Sequence, residues 1–329
     1  MKAYQVVQGS KSIEGLKRVE LPKPEPGPGQ VLVRMRAASL NFRDLAVVNG
    51  KYIRGPLERD TIPLSDGAGE VEAVGEGVAE FKPGDRVLAT FTQGDPPAAL
   101  GSPLDGTLAE YGVFDRRGLL HVPPHLSFEE AATLPCAGVT AWNAIAWGRP
   151  FRAGETVLTL GTGGVSIIAL QLAKAAGARV IITSSSDEKL ERARALGADD
   201  LINYTKTPEW AAEVLRLTGG HGADKVIETA AFGTLPQSYQ AVAPGGEIEL
   251  IGVLTRATGD LSPHPLMFKG ATLRGLFVGG REHAEGLVRM LAVTKVKPVV
   301  DRVFDFEQAK EAYEHLRAAK HFGKIVIRI

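Results

Sequence analysis

A short apolar run, Thr156-Val157-Leu158-Thr159-Leu160, passes without a spacer into Gly161-Thr162-Gly163-Gly164-Val165-Ser166 and then into an apolar stretch, Ile167 to Ala175. Read as strand, tight turn and helix, the segment fixes most of what its surroundings can become. The glycines permit the turn and let backbone N–H groups approach an anion, whose charge suits the start of the helix. Downstream, strands alternate with helices. Gly163 to Ala175 reads as a helix, Arg179 to Thr183 as a strand, Glu188 to Leu196 as a helix and Asp199 to Asn203 as a strand. Pro208 to Thr218 (helix), Lys225 to Thr229 (strand), Leu235 to Val242 (helix) and Glu247 to Ile251 (strand) continue the pattern. Alternation at these lengths means βαβ units and a parallel sheet.

A glycine-rich run alone is weak, because turns use glycine everywhere. Here the strand before it, the helix after it and the second strand at Arg179 supply the context of a dinucleotide site. The alternative is a structural turn in a flavodoxin-like sheet. Ser166 stands where a third glycine is usual, and serine is small enough for close helix–sheet packing. The second strand ends Ile181-Ile182-Thr183-Ser184-Ser185-Ser186, with no acid until Asp187. An acid at Ser184 would hold a ribose 2′-hydroxyl and repel a 2′-phosphate; hydroxyls at Ser184 and Ser185 donate to that phosphate, and Lys189 supplies charge one turn on. NADPH is therefore favoured, with NADH left open. The bland reading is a serine-rich helix start with a solvated Lys189.

The rest of the chain frames this unit. With 329 residues and 44% hydrophobic content, there is material for two domains and a substantial core. Lys plus Arg and Asp plus Glu are both 38, so the basic excess of a nucleic-acid or anionic-membrane binder is missing. No apolar run approaches the roughly 18–20 residues that span a bilayer. MKAYQVVQGSKSIEG does not read as a secretory signal, and one cysteine, Cys136, permits no internal disulfide, so a cytoplasmic protein is expected. Residues 1–135 read as β structure, twisted or barrel-like. Gln30 to Met35, Gly69 to Val74 and Asp85 to Ala89 are strands split by Gly and Pro, with one helix near Phe42 to Asn49. Phe128 to Leu134 and Ala137 to Ala146 read as helices, the first capped by Ser127. Helices over His283 to Val293 and Phe306 to Arg317 precede a terminal strand, Lys324 to Ile329.

Several motifs together carry a family resemblance: Asn41-Phe42-Arg43-Asp44, Asp66 to Val71 (DGAGEV), Val78 to Asp85 (VAEFKPGD), Gly106 to Tyr111 (GTLAEY), Thr140-Ala141-Trp142, the Gly161 loop and Phe322-Gly323-Lys324. The chain resembles the medium-chain dehydrogenase/reductase superfamily, in the zinc-free branch of quinone oxidoreductases and enoyl reductases. The resemblance implies an α/β protein: a GroES-like, mostly-β catalytic domain at 1–137 and 278–329, with a Rossmann dinucleotide-binding domain at 138–277 inserted. It also implies a cleft between the domains and a homodimer through the Rossmann sheets.

Zinc-dependent members place Cys where Asn41 stands and His where Ser65 stands, beside Asp66; only Cys136 keeps its residue type. The lobe that holds a second zinc corresponds to Thr92 to Thr107, which has no cysteine. A catalytic zinc takes three protein ligands plus water, and the seven histidines show no ligand spacing. No zinc is expected. Nicotinamide supplies the hydride, and hydrogen-bond donors must stabilise the charge that develops on the acceptor's oxygen. The resemblance puts Asn41 and Tyr52 at the substrate end, Asn41 as polariser and Tyr52 as donor of a hydrogen bond or proton, with Asp44 organising their loop. Alternatively, Tyr52 merely caps Asn49 to Gly55. Cys136 reads as a small hydrophobe or a lining residue of the nicotinamide pocket rather than a nucleophile. By resemblance the cofactor is also met by Thr140, Gly161 to Val165, Thr229, Ala230, Ile251, Val253 and Val278, with Tyr204 near the adenosine phosphate and Lys324 near the pyrophosphate. Phe91, Leu254, Met267, Phe268 and Phe277 hint at an apolar substrate site, though lone aromatics are more often core.

The expected activity is hydride transfer from NADPH to a small quinone or α,β-unsaturated carbonyl. Two others stay open: an alcohol dehydrogenase or ketone reductase with an unusual metal set around Cys136, and a catalytically weak NADPH-binding sensor or structural protein.

Overall fold

The computed structural model describes residues 1–52, 55–252 and 261–329, and these form two compact units, 1–139 with 280–329, and 140–279.

In the second unit six parallel strands form one sheet in the spatial order Asp200–Asn203, Arg179–Ser184, Thr156–Leu160, Ala223–Glu228, Val242–Leu250, Thr272–Gly275. Numbered along the chain this is 3-2-1-4-5-6, the doubly wound Rossmann order, whose direction reverses beside the first strand. Every residue of Thr156–Leu160 is buried, as a strand covered on both faces requires. Helix Gly164–Ala175 follows at once, then Asp187–Ala195, Trp210–Leu217 and Leu235–Ala241. The core gathers Leu158, Ile181, Ile202, Val226 and Ile248 from five neighbouring strands. Helix His264–Lys269 and edge strand Thr272–Gly275 were not anticipated, because each is too short to show a period.

The first unit is built on a sheet of seven strands among the described residues. Gln30–Ser39 is its centre and pairs antiparallel with Asp66–Val74, Tyr111–Asp115 and the terminal strand Lys324–Arg328. Val300–Asp305 runs parallel to that terminal strand, so the last segment of the chain joins the N-terminal β structure. The expected α/β architecture, a Rossmann sheet alongside a mostly-β unit, is thus present. One helical boundary differs from expectation. Phe128–Ala131 is a single α turn, Leu134–Gly138 is a π turn, and only Val139–Ala146 is a regular helix. Pro135 has no N–H to continue an α-helical ladder, which favours the break.

Among the described residues no helix is long and apolar enough to cross a membrane.

Candidate active site

In the second unit the expected cofactor residues collect at the C-terminal ends of the parallel strands. Gly161 turns the chain with φ of 74°, a left-handed conformation that costs glycine little, and its N–H donates to Thr183 Oγ1 at 3.2 Å. A β-carbon added at Gly161 or Gly163 would meet no atom within 4 Å, so the space beside the turn is open. Gly163 is the N-cap of Gly164–Ala175 and offers no side chain to the first N–H groups, which leaves them for an anion. Ser166 does more than fit: its hydroxyl donates to Leu160 O at 2.6 Å and ties helix to strand.

Thr229, Ala230 and Ile251 follow the next two strands of the sheet. Thr229 Oγ1 donates to Leu160 O at 2.8 Å, and the N–H groups of Ile251 and Gly252 donate to Glu228 O at 3.0 and 3.2 Å. A β-carbon at Gly252 would lie 1.5 Å from Thr229 O, so these strand ends are pressed together. Glu228 went unnoticed in the sequence, yet it organises this corner. Its buried carboxylate accepts from the N–H groups of Ala230 (3.0 Å) and Ala231 (2.9 Å) and from the hydroxyls of Thr234 (2.7 Å) and Ser238 (2.5 Å). Ser184 and the exposed Ser185 end the strand on the other side, and Tyr204 N donates to Ser184 O at 3.1 Å. Lys189 lies in the first turn of Asp187–Ala195, its N–H capped by Ser186 Oγ at 3.3 Å. Of the two acids in this first turn, Asp187 and Glu188, Asp187 is engaged by Asn203 Nδ2 at 2.6 Å and by the Lys206 ammonium, which holds its carboxyl below the usual range. Thr140 is buried near the start of helix Val139–Ala146, and Val278 O accepts from Asn143 Nδ2 at 2.8 Å. Val253 and Leu254 lie outside the described residues.

Behind these strand ends the sheet carries a buried ionic cluster. Lys225 has no exposed surface, and its ammonium donates to Glu247 Oε2 (2.8 Å), Glu249 Oε1 (3.1 Å) and the carbonyls of Ala144 and Trp147 (3.1 Å each). Arg274 pairs with Glu249 Oε2 at 2.8 Å. Burial pushes the Glu249 carboxyl up to about 7, against the pull of Lys225 and Arg274.

The first unit holds the expected catalytic residues. Asn41 opens helix Phe42–Val48, and its backbone N–H donates to Asp44 Oδ2 at 2.7 Å. Burial pushes the Asp44 carboxyl up to about 6, although Arg43 Nη1 lies 3.8 Å away. Arg43, also overlooked in the sequence, gathers the loops. It donates to Leu100 O at 2.9 Å, Ser102 O at 3.3 Å and Tyr52 Oη at 3.3 Å, and its guanidinium stacks 4.8 Å from the Tyr52 ring centre and 5.0 Å from that of Phe91. Tyr52 therefore accepts from Arg43 and keeps its own O–H to donate. Its carbonyl also accepts from Gly55 N at 2.8 Å, the loop-capping contact. Phe91 is buried, whereas Met267, Phe268 and Phe277 are exposed at the surface of the other unit.

Around Asn41 the donor set is unlike a metal centre. Ser65 Oγ donates to Asp66 Oδ1 at 2.8 Å, and Cys136 N donates to Asp66 Oδ2 at 3.3 Å. Burial pushes up both the Asp66 carboxyl and the thiol of the half-buried Cys136, and the Asp66 charge adds to the shift at the thiol. Lys324 brings an ammonium into the same place: Nζ donates to Leu40 O (2.5 Å) and Asn41 Oδ1 (2.6 Å) and sits 3.9 Å from Asp66 Oδ2. This is where the lysine expected near a pyrophosphate directs its charge. An ammonium, a carboxamide and a hydroxyl around one carboxylate do not suit zinc, which takes thiolate, imidazole or carboxylate ligands and is repelled by a resident cation. Among the described residues no group of three or more His, Cys, Asp or Glu is arranged to hold a metal ion.

Comparison with known proteins finds two family matches along the chain. Residues 27–124 match the alcohol dehydrogenase GroES-like domain, and residues 164–293 match the family described as zinc-binding dehydrogenase. A zinc-type alcohol dehydrogenase-like protein of Schizosaccharomyces pombe is 44% identical, over 99% of each chain. A chloroplastic quinone-oxidoreductase of Triphysaria versicolor is 35% identical, over 95% of this chain and 94% of its own. Among solved structures, an NAD-dependent alcohol dehydrogenase superposes with a TM-score of 0.94 at 36% identity, over 100% of both chains.

Proposed function

Because the chain belongs to the medium-chain dehydrogenase/reductase family and is an NAD(P)-dependent oxidoreductase acting on a small molecule, we propose that it passes hydride from NADPH to a quinone or an α,β-unsaturated carbonyl without zinc. The observation that carries the reading is the ammonium of Lys324 bonded to Asn41 where metal-dependent relatives hold a ligand. Hydride arriving at a conjugated carbonyl drives negative charge onto its oxygen, and fixed donors in a desolvated pocket stabilise that charge. Asn41 Nδ2 and the Tyr52 hydroxyl are those donors, and Tyr52 also delivers the proton to the enolate or hydroquinone oxygen. Asp44 holds the Asn41 backbone, and Arg43 holds the Tyr52 ring.

Ser184, Ser185 and Lys189, with Asp187 already neutralised by Lys206, support a 2′-phosphate and hence NADPH over NADH. Gly161 to Val165 cradle the pyrophosphate, and Thr140, Tyr204, Thr229, Ala230, Ile251 and Val278 border the rest of the cofactor. Exposed Met267, Phe268 and Phe277 beside the edge strand Thr272–Gly275 support a homodimer through that edge. The names of two similar proteins favour a second reading, alcohol or ketone chemistry. A substrate panel in the presence of a chelator separates the two. NADPH oxidation by quinones and enones is the expected result, and chelator-sensitive oxidation of simple alcohols in its place would overturn it.

A further inference from the structure

An asparagine side chain offers oxygen on one side and N–H on the other, and its orientation is read from its neighbours. At Asn41 the neighbour decides the matter. An ammonium has three donors and no acceptor, so the atom 2.6 Å from Lys324 Nζ must be the oxygen. The N–H₂ group is then committed to the opposite side. It is buried and has no partner that meets hydrogen-bond geometry, although the amide lies near enough to Asp66 to favour that carboxylate's charge. The residue itself is 9% exposed. An amide N–H₂ carries two donors, so with Asp66 near one of them the other remains for an acceptor that a ligand supplies.

The cation is as confined as the amide. Lys324 is 3% exposed, at the start of the terminal strand, and 283 positions separate it from Asn41. Only the antiparallel pairing of Lys324–Arg328 with Gln30–Ser39 brings the two together. Its charge faces the fully buried Asp66, which would otherwise be an uncompensated anion. A divalent metal in the same pocket would have to displace the ammonium from Asn41.

We propose that Lys324 is the resident cation of this pocket and a positioning residue for the reaction, holding the Asn41 oxygen so that the Asn41 N–H₂ group donates to the oxygen of the hydride acceptor. This rests on the conjugated-carbonyl or quinone reading above. The lysine does not touch the acceptor. It fixes the amide's orientation and balances Asp66.

The test is single-turnover hydride transfer from bound NADPH to an enone or quinone, with NADPH affinity measured separately on the same preparations. Lys324→Met should slow transfer at saturation by roughly 10²–10³-fold, while the Kd for NADPH changes by no more than about threefold; Lys324→Arg should regain at least about tenfold of the loss, since it restores a donor cation. A Kd raised about tenfold or more with transfer intact would overturn the proposal, because the lysine would then be serving the cofactor's pyrophosphate. Should Lys324→Met fail to fold, Asn41→Asp keeps an oxygen for Lys324 and removes the N–H donor; transfer at the wild-type rate in that variant would equally overturn it. Metal uptake reads the placement of the lysine whatever the acceptor proves to be. After incubation with Co²⁺ and dialysis, wild-type protein should retain far less than one ion per chain and show no thiolate-to-cobalt absorption. Stoichiometric cobalt bound through Cys136 would refute the resident cation.

Discussion

Lys225 sits in the interior of the Rossmann sheet with no exposed surface, and replacing it with methionine removes the ammonium while keeping most of its volume. Two carboxylates, Glu247 and Glu249, lose a partner at 2.8 and 3.1 Å, and the carbonyls of Ala144 and Trp147 lose a donor. Removing one member of a buried ion pair costs about 3–5 kcal/mol, because the remaining charge is left uncompensated. Arg274 still holds Glu249 Oε2 and the Arg149 N–H still holds Glu247 Oε2, so we expect about 3 kcal/mol, the lower end of that range. The penalty should also depend on pH. A glutamate titrates ordinarily near 4.5, and burial has moved Glu249 up to about 7. Between those values the folded chain holds a proton that the unfolded chain has released, so stability falls as pH rises. Without Lys225 the folded-state value rises further. The variant then goes on losing about 1.4 kcal/mol per pH unit above 7, where the wild type has levelled off. Urea denaturation followed by tryptophan fluorescence reads this directly, since all three tryptophans, Trp142, Trp147 and Trp210, lie in the Rossmann unit. The penalty should grow from pH 7 to pH 9. A penalty under about 1 kcal/mol at pH 8, or one indifferent to pH, would refute the buried-pair reasoning.

Other outcomes follow from the same geometry. Glu228→Ala orphans two N–H groups and the Ser238 hydroxyl and should destabilise the chain by about 3 kcal/mol or more and weaken NADPH binding at least tenfold; Glu228→Gln, which keeps an oxygen for Ala230, Ala231 and Thr234, should cost about 1 kcal/mol, as calorimetry and cofactor titration would show. Asp44, raised to about 6 by burial, is protonated in the folded chain at pH 5 and ionised at pH 8, so from pH 5 to 8 the wild type should lose about 1–2 kcal/mol relative to Asp44→Asn in circular-dichroism denaturation curves. Combined Ser184→Ala and Lys189→Ala substitutions should raise KM for NADPH by about tenfold or more and leave KM for NADH nearly unchanged; equal effects on both cofactors would mean that no 2′-phosphate is held there.

Much of the Rossmann unit was legible because its strands announce themselves. Thr156–Leu160 and Arg179–Ser184 are apolar, β-branched and bounded by turns, and Gly161 follows at the position a pyrophosphate turn needs. The ionic cluster was hidden by the same pattern. Lys225 two positions before Ile227, and Glu247 alternating with Glu249, look like the wet face of a half-exposed strand. Only the register, which sets Lys225 opposite Glu247 and Glu249 opposite Arg274, with helices covering both faces, turns that alternation into a buried network. Val300–Asp305 escaped for the opposite reason: Asp301 and Arg302 break any apolar period, and its parallel pairing with the terminal strand supplies the order. Near the candidate chemistry, Asn41, Asp44 and Tyr52 could be picked out as a local motif. Lys324 could be picked out by position, but its partner could not, because nothing in a linear sequence links it to Asn41.

The most direct test of a zinc-free conjugate reduction follows the hydride itself. NADPH deuterated at C4 of nicotinamide is supplied to chelator-treated enzyme with an enone, and the product is examined by mass spectrometry and NMR. Turnover without added metal, with deuterium at the carbon β to the carbonyl, is the expected result. Deuterium on a carbinol carbon, or turnover that returns only when zinc is restored, would contradict it.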